Sequence, residues 1–410
     1  MICRRGPNVV LVWLISVSAM ILFISADCRA ERSSKGSKVI EAGAEEIAEI
    51  IENQYEAGGI DRIRQELERH TDGESMELFG GYDAGRLIDD LVRGTVDMDL
   101  KGIGARTLKI FFRELYQNIG ILAKITVLVV ICALLKNLQT GFMSEGAGQI
   151  AFYVCYIVMI SILLVSFGTV MKMGIGIIDR MVGFMYAIIP VMMALLISGG
   201  NITAGGILHP VMLLIVEASA TIIRNVFVPL VFISAILTIV NNISEKIQLT
   251  RLVSLIRQIV SWSLGIILTI FIIAVSLQGS LGAVIDGATQ KAAKFAISAF
   301  IPIVGKTLSD AADTVIGCTL MIRNAAGFAV MIGILLICVL PLIKIIALAG
   351  LFKVAGALLE PISDSRITNC INEIAGSMLH IFALSASVSF MFMVSVAALI
   401  SAGNISAMLR

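Results

Sequence analysis

Charged side chains inside long apolar stretches are the residues of this sequence most able to do chemistry. His209, Glu217 and Arg224 lie on the apolar stretch Ile207–Val226, at spacings of eight and seven residues that place them on roughly one helical face. Ionisable groups at membrane depth are costly and mark functional sites or pairs. The pattern predicts a polar line facing an aqueous path; the alternatives are a structural ion pair, or an Arg224 side chain that snorkels from the helix end.

A second polar group lies in the segment Phe295–Asp313. This segment mixes Pro302, Lys306, Asp310 and Asp313 with a strongly apolar stretch. Irregular backbone at membrane depth is tolerated only where protein buries it or where it lines water. The segment is therefore predicted to be a re-entrant or pore-lining hairpin, or else an amphipathic helix on the membrane surface.

The motifs of common enzyme classes are absent from the sequence. There is no HExxH, no GxSxG and no P-loop. The three histidines are too scattered to predict a metal site. Asp310 and Asp313 share one segment, whereas an aspartyl protease needs two facing carboxylates. We therefore expect no enzyme activity, no cofactor and no metal.

The composition shows what kind of structure must position these side chains. The chain is 58% hydrophobic and 15% charged, with a mean hydropathy of +0.94, whereas soluble domains are roughly 45–50% apolar and about 25% charged. A soluble globular enzyme and a disordered chain are both excluded. The net charge of +1 offers no basic field for nucleic acid. The chain is predicted to be an all-α polytopic membrane protein.

Residues 1–30 have the pattern of a signal peptide. Arg4 and Arg5 precede an apolar run, and small residues follow that allow cleavage near Ala26 or Ala30. An uncleaved anchor is the alternative. Both interpretations send the following residues to the outer face of the membrane.

The rest of the chain divides into an acidic segment and an apolar body. Residues 31–117 carry a net charge of −7 and helical apolar spacing, and predict an exported acidic helical segment. Residues 118–410 contain successive blocks long enough to cross a bilayer, which predict seven to nine transmembrane helices. The blocks are Ile119–Leu135, Ile150–Val170, Met181–Ile197, Ile207–Ile223, Val226–Val240, Ile259–Leu277, Ala325–Leu342 and Met378–Ile400, with Ile343–Leu359 as a weaker candidate.

Two further stretches have the spacing of amphipathic surface helices. Ser244–Gln258 places Lys246, Arg251 and Arg257 opposite its apolar residues, and Ser363–Ser377 has a similar pattern. Both are predicted to lie at the membrane interface. The basic residues favour the inner side for Ser244–Gln258.

A displacement of 112 residues aligns the body with itself. Pro190 then matches Pro302, Pro229 matches Pro341, and 11 of 49 aligned positions are identical. This predicts a duplication with helix breaks at the four prolines, while coincidence among apolar residues is the alternative. A duplicated body favours a conduit over an enzyme with one site. The two units would span about residues 181–281 and 293–400.

Several long blocks of the body are unusual enough to identify a family. They are His209-Pro210-Val211 with the helix through Glu217, NVFVPLVFISAILTIV from Asn225 to Val240, FIPIVGKTLSDAADTVI from Phe300 to Ile316, and the ending Ala402-Gly403-Asn404 followed by Met408 and Arg410. The chain thereby resembles the stage III sporulation protein AE family of endospore-forming bacteria. The order of signal-like start, acidic segment and polytopic body agrees with that family.

The resemblance implies a role that composition does not give. Members of the family lie in the mother-cell membrane that surrounds the engulfed forespore. Their partners are other stage III A operon membrane proteins and a forespore-membrane partner, with which they form a secretion or feeding-channel assembly across the intermembrane space. Residues 31–117 would lie in that space, and a homo-oligomer is one option. The family implies no catalytic residue.

Three functions remain in competition at this point. The first is a channel-like or permease-like component of a transport assembly, lined by Glu217, Arg224 and the segment from Pro302 to Asp313. The second is a scaffold that recruits other channel components and conducts nothing. The third is a stand-alone secondary transporter, for which the sequence holds no substrate-specific motif.

Overall fold

The computed structural model describes residues 60–70, 100–139, 145–199, 206, 209–243, 249–300 and 305–408. Every element in these ranges is a helix. The predicted signal peptide lies outside the described residues. The helices are α1 (Ile60–His70), α2 (Leu100–Gln117), α3 (Ile119–Gln139), α4 (Glu145–Ser198), α5 (His209–Ile222), a π-helical turn π1 (Ile223–Phe227), α6 (Val228–Ile243), α7 (Thr250–Phe300), α8 (Gly305–Leu359) and α9 (Ser365–Met408).

A hairpin of α8 and α9 forms the centre of the bundle. Its two helices carry long apolar stretches, as expected for helices largely surrounded by protein, and 78% of the apolar stretch of α8 is buried. The corresponding value for α7 is 17%, so that helix lies at the edge of the bundle. The most apolar of the candidate membrane-spanning stretches in the described ranges is therefore packed against protein rather than exposed.

The other helices pack around this hairpin. A rod made of α5, π1 and α6 turns back into α7, and this second hairpin packs on α9. Helix α4 packs on both α8 and α9, and α3 packs on α4. The short charged helix α1 packs on α4 and α8 through Ile63 and Leu67, which are fully buried.

Polar side chains help to close the two hairpin turns. The Asp364 carboxylate accepts a hydrogen bond from the backbone N–H of Arg366 at 2.9 Å, which caps the start of α9. The Asn241 side-chain oxygen accepts one from the N–H of Leu249 at 2.6 Å, just before α7 begins. Each turn thus satisfies backbone groups that a helix end leaves open.

The structure has longer and fewer apolar helices than the seven to nine predicted spans. Six helices in the described ranges are long and apolar enough to cross a membrane. Predicted spans that are neighbours in the sequence form one continuous helix, because the polar residues between them neither cap nor break it. The helices are Gly102–Leu135, Tyr153–Ser198, Pro210–Ile243, Thr250–Gln278, Thr319–Leu359 and Ser365–Ser401.

The predicted surface helices also need correction. Within the described residues, Thr250–Gln258 and Ser365–Ser377 form the first turns of α7 and α9, and each helix runs on into the apolar bundle. Their charged residues are therefore the polar ends of long helices. The amphipathic spacing was real, but it does not mark separate elements.

The predicted helix breaks at proline are not observed where the structure describes them. Helices α4 and α8 continue through Pro190 and Pro341. Pro229 follows the wide turn π1. Proline has no N–H to donate to the preceding turn, and the wider π-helical turn accommodates the loss of that hydrogen bond. An apolar surrounding offers freed carbonyls no water, which favours keeping the helix intact. Pro302 lies outside the described residues.

Candidate functional site

Arg224 pairs with a residue of another helix. Its Nε lies 2.8 Å from Asp179 Oδ1 and its Nη2 lies 3.1 Å from Oδ2, so the contact is bidentate. Arg224 belongs to π1 and Asp179 to α4. Both side chains are almost half exposed, so the pair faces outward from the bundle.

Glu217 has a partner on α4 as well. Its carboxylate interacts electrostatically with the Tyr186 hydroxyl. Tyr186 follows Asp179 by seven residues, and Glu217 precedes Arg224 by seven, so the two contacts repeat after two turns of an antiparallel helix pair. We call these four residues the outer seam. Sequence reasoning placed Glu217 and Arg224 on one face correctly, but missed both partners on α4.

The other predicted site residues lie at helix beginnings. His209 is the first residue of α5, and Lys306, Asp310 and Asp313 belong to the first three turns of α8. Their side chains are outside the part of the chain that the structure describes. Their role as pore-lining residues therefore stays a prediction, as does the re-entrant hairpin at the junction of α7 and α8.

A second polar group, which sequence reasoning missed, joins the two hairpins. Arg257 of α7 is 20% exposed, and its Nη2 donates to Thr238 Oγ1 of α6 at 3.1 Å. The same nitrogen donates to the Glu373 carbonyl at 3.2 Å and to Ser377 Oγ at 3.1 Å, both on α9. The Glu373 carboxylate lies 3.9 Å away. We call Thr238, Arg257, Glu373 and Ser377 the hairpin node.

The sequence carried only a weak signal for the hairpin node. Arg257 falls on the amphipathic stretch that was interpreted as a surface helix, where a cation is unremarkable. Thr238 and Ser377 are uncharged and fall among apolar residues, although both are buried. The available indication of the hairpin node was that α6 and α9 each carry a polar residue, Thr238 or Ser377, on an apolar side.

Two more charged side chains are buried between helices. Glu114 of α2 is only 8% exposed and lies 3.7 Å from Lys344 of α8. Arg323 of α8 is fully buried and donates from Nη2 to the carbonyl of Ile400 on α9 at 3.3 Å. Both contacts hold α8 to a neighbouring helix.

The chemistry available at these groups is binding and positioning. Within the described ranges, no three His, Cys, Asp or Glu side chains are placed to hold a metal ion. A small cavity between α4 and α9 is apolar, and it is lined by Met185, Ile188, Ile189, Met192, Val396 and Leu399. The polar groups that the structure brings together are ion pairs and hydrogen-bonded contacts between helices.

Comparison with known proteins adds a relationship over most of the chain. A family model described as Stage III sporulation protein AE matches residues 82–403. The chain is 36% identical over 299 residues to the Stage III sporulation protein AE of Bacillus subtilis (strain 168), which covers 73% of this chain and 75% of that relative. No solved structure matches the chain.

Proposed function

Because the chain belongs to the stage III sporulation protein AE family, we propose that it is a nonenzymatic, channel-like or permease-like membrane component of the transport assembly that joins mother cell and forespore. Its partners in this proposal are other stage III A operon membrane proteins and a forespore-membrane partner. It lies in the outer forespore membrane, with the part of the segment 31–117 that precedes α2 in the intermembrane space. Six long apolar helices and membership in a sporulation family support this proposal.

The position of the outer seam carries the mechanistic part of the proposal. Helices α8 and α9 pack on each other, and both carry fully buried apolar side chains such as Ile345, Phe352 and Met378. The outer seam, in contrast, presents half-exposed charges on the surface of α4 and π1. A path lined by these charges would therefore run between copies of the chain, or between the chain and its partners, rather than along the α8–α9 contact.

A duplication of the two hairpins is part of the proposal. Ile243 and Leu359 end the first helices of the hairpins and are 116 residues apart, while Thr250 and Ser365 begin the second helices and are 115 apart. In the first hairpin, Arg257 donates to Thr238; in the second, Lys353 Nζ donates to the Asn372 carbonyl at 3.0 Å. Both pairs are related by the same shift of 115 residues, which favours duplication over coincidence.

Complementation of a strain that lacks its own family member tests the conduit. We expect Glu217→Gln and Arg224→Ala to reduce heat-resistant spores while protein level and membrane insertion stay normal. Thr221→Ala is the matched control, since Thr221 is exposed on the same helix between the two residues. Full sporulation by both charge variants would remove Glu217 and Arg224 from the lining.

A non-conducting scaffold is the second candidate, and the filled contact between α8 and α9 favours it. It predicts that outer-seam variants sporulate normally while changes in residues 31–117 abolish assembly. Co-purification of the operon partners with each class of variant separates the two functions. Loss of partners from the 31–117 variants alone would support the scaffold, whereas spore loss with partners retained in the outer-seam variants would support the conduit.

A further inference from the structure

Helix α1 places a charged surface against the apolar bundle. Ile63 and Leu67 are fully buried against α4 and α8, while Arg62, Glu68 and Arg69 are exposed. Gly333 makes room for this contact, since a Cβ there would lie 2.9 Å from Phe184 Cζ and 3.3 Å from Leu67 Cγ. Charged side chains on a lipid-facing surface cost several kcal/mol each at the bilayer centre (about 2.5–3.5 for Arg on insertion scales). The face that carries α1 is therefore a water-facing surface.

The level of α1 along the bundle follows from the helix contacts. Gly174 of α4 contacts Ile381 and Ser385 of α9. Ser385 is 20 residues beyond Ser365, where α9 leaves its turn, which is about 30 Å along the helix. A bilayer core is also about 30 Å thick. The length of the bundle from the hairpin turns to the level of Gly174 therefore equals the thickness of one bilayer core.

Helix α4 continues beyond this level in the same direction as α9. Met192 of α4 lies beside Val396 and Leu399 of α9, further from the turns than the Gly174 contact. Asp179 and Phe184 follow Gly174 by five and ten residues, about 7.5 and 15 Å along the helix. The Asp179–Arg224 pair thus lies just beyond the level of Gly174, and α1, at the level of Phe184, lies still further from the hairpin turns.

Burial of the charge pairs agrees with this division. Glu114 and Lys344 pair within the half nearest the turns, and their side chains are 8% and 30% exposed. Asp179 and Arg224 pair at the boundary, and both are about 45% exposed. Charges inside a bilayer are expected to face protein, whereas charges at its surface are free to face water. At the opposite end of this half, the exposed Arg251 lies beside the turn between α6 and α7. Cations are favoured there if that turn faces the inner side of the membrane, as the sequence predicts.

We infer that lipid surrounds only the half of the bundle between the hairpin turns and the Asp179–Arg224 pair. The half beyond that pair, with α1 docked on α4 and α8, projects into the aqueous compartment on the side of α1. This explains why α4, with 54 residues, is about 81 Å long, far more than one bilayer requires. The inference is compatible with either proposed function, and in the conduit it places the outer seam at the aqueous end of the path.

The test compares two exposed positions on the α5–π1–α6 rod. Leu214 and Ile233 are 66% and 46% exposed, and they lie about 15 and 14 Å from the level of Arg224 on opposite sides. Each is replaced by cysteine in the full chain after its seven cysteines are replaced. The purified variants carry a bimane label and are reconstituted in phosphatidylcholine vesicles with brominated acyl chains.

We expect roughly fivefold stronger quenching at Ile233→Cys than at Leu214→Cys, because only the first label lies within the hydrocarbon layer. A bimane label at Arg69→Cys on α1 should be unquenched, and the same cysteine left unlabelled should react with a membrane-impermeant maleimide. Equal quenching at Leu214 and Ile233, strong or weak, would overturn the inference. So would stronger quenching at Leu214.

Discussion

Arg257 and Arg224 are both arginines of the apolar body, yet their surroundings differ. Arg257 is 20% exposed and donates to side-chain and backbone oxygens of two helices. Arg224 is 46% exposed and has a bidentate contact with one carboxylate. A buried cation needs several acceptors to offset its desolvation, so it joins the helices that supply them. A half-exposed pair has no such need and contributes less to stability.

This difference separates a structural role from a functional one. The hairpin node links α6, α7 and α9, so its loss should loosen the contact between the two hairpins. The outer seam links α4 to the α5–π1–α6 rod at a surface that faces outward. We therefore expect variants of the hairpin node to change stability, and variants of the outer seam to change function while the fold remains.

The largest effect is expected for Arg257→Ala. Removing the guanidinium leaves Glu373 without its cation and Thr238 and Ser377 without a shared donor, so the free energy of unfolding should fall by about 2–4 kcal/mol. Unfolding by denaturant in detergent micelles measures this. Arg251→Ala is the matched control, because Arg251 is exposed one and a half turns earlier on α7. Equal stability of the two variants would show that the hairpin node does not hold the hairpins together.

Arg257→Lys sharpens the same comparison. Lysine keeps the charge but lacks the planar fork that reaches oxygens on two helices. We expect about half of the loss seen for alanine, roughly 1–2 kcal/mol. A lysine variant as stable as the original chain would mean that charge alone, and not the arrangement of donors, stabilises the hairpin node.

The next prediction concerns the contact between α4 and α9. This contact fixes the position of α4, on which the outer seam depends. A Cβ at Gly174 would lie 2.5 Å from Ile381 Cγ2 and 3.0 Å from Ser385 Oγ. Ile381 is β-branched and has few other rotamers, so Gly174→Ala should destabilise the protein by about 1–3 kcal/mol. Gly176→Ala is the control, because its Cβ would meet nothing within 4 Å. Thermal unfolding of both variants in the same detergent compares them.

Two matched outcomes would contradict this account of α4. If Gly174→Ala were as stable as Gly176→Ala, the close contact with α9 would have to relax at no cost. If both variants destabilised the protein equally, the loss would come from α4 itself and not from its packing. In either case the close contact at Gly174 would not be what fixes the position of α4.

The fold class was predictable from the sequence, because apolar blocks of bilayer length leave few alternatives to helices. The number of helices was not, since hydropathy reports where polar residues lie but not whether the helix continues through them. Lys172, Asp179 and Arg180 interrupt the apolar run of α4, yet α4 continues through all three. Helix continuity depends on backbone hydrogen bonds, which side-chain polarity alone does not break.

The candidate site was predictable only in part for a related reason. Glu217 and Arg224 were found because charges stand out in an apolar stretch. Asp179 falls between the predicted spans Ile150–Val170 and Met181–Ile197, so the sequence offered no reason to pair it with Arg224. Arg257 was assigned to a surface helix for the same kind of reason. Pairs between helices depend on which faces meet, and the sequence of one helix does not contain that information.

The smallest effect on stability is expected at the outer seam. Asp179→Asn keeps the size of the side chain and removes its charge, leaving Arg224 able to face water. Solvent screens a pair that is almost half exposed, so the free energy of unfolding should change by only about 0.5 kcal/mol. Spore formation by the same variant should nevertheless fall if the outer seam lines a path or meets a partner. Arg180→Gln, a charge change at the next position of α4, is the control. A loss of stability at Asp179→Asn as large as that of Arg257→Ala would end the distinction between the two sites, because both would then be attachments of the bundle.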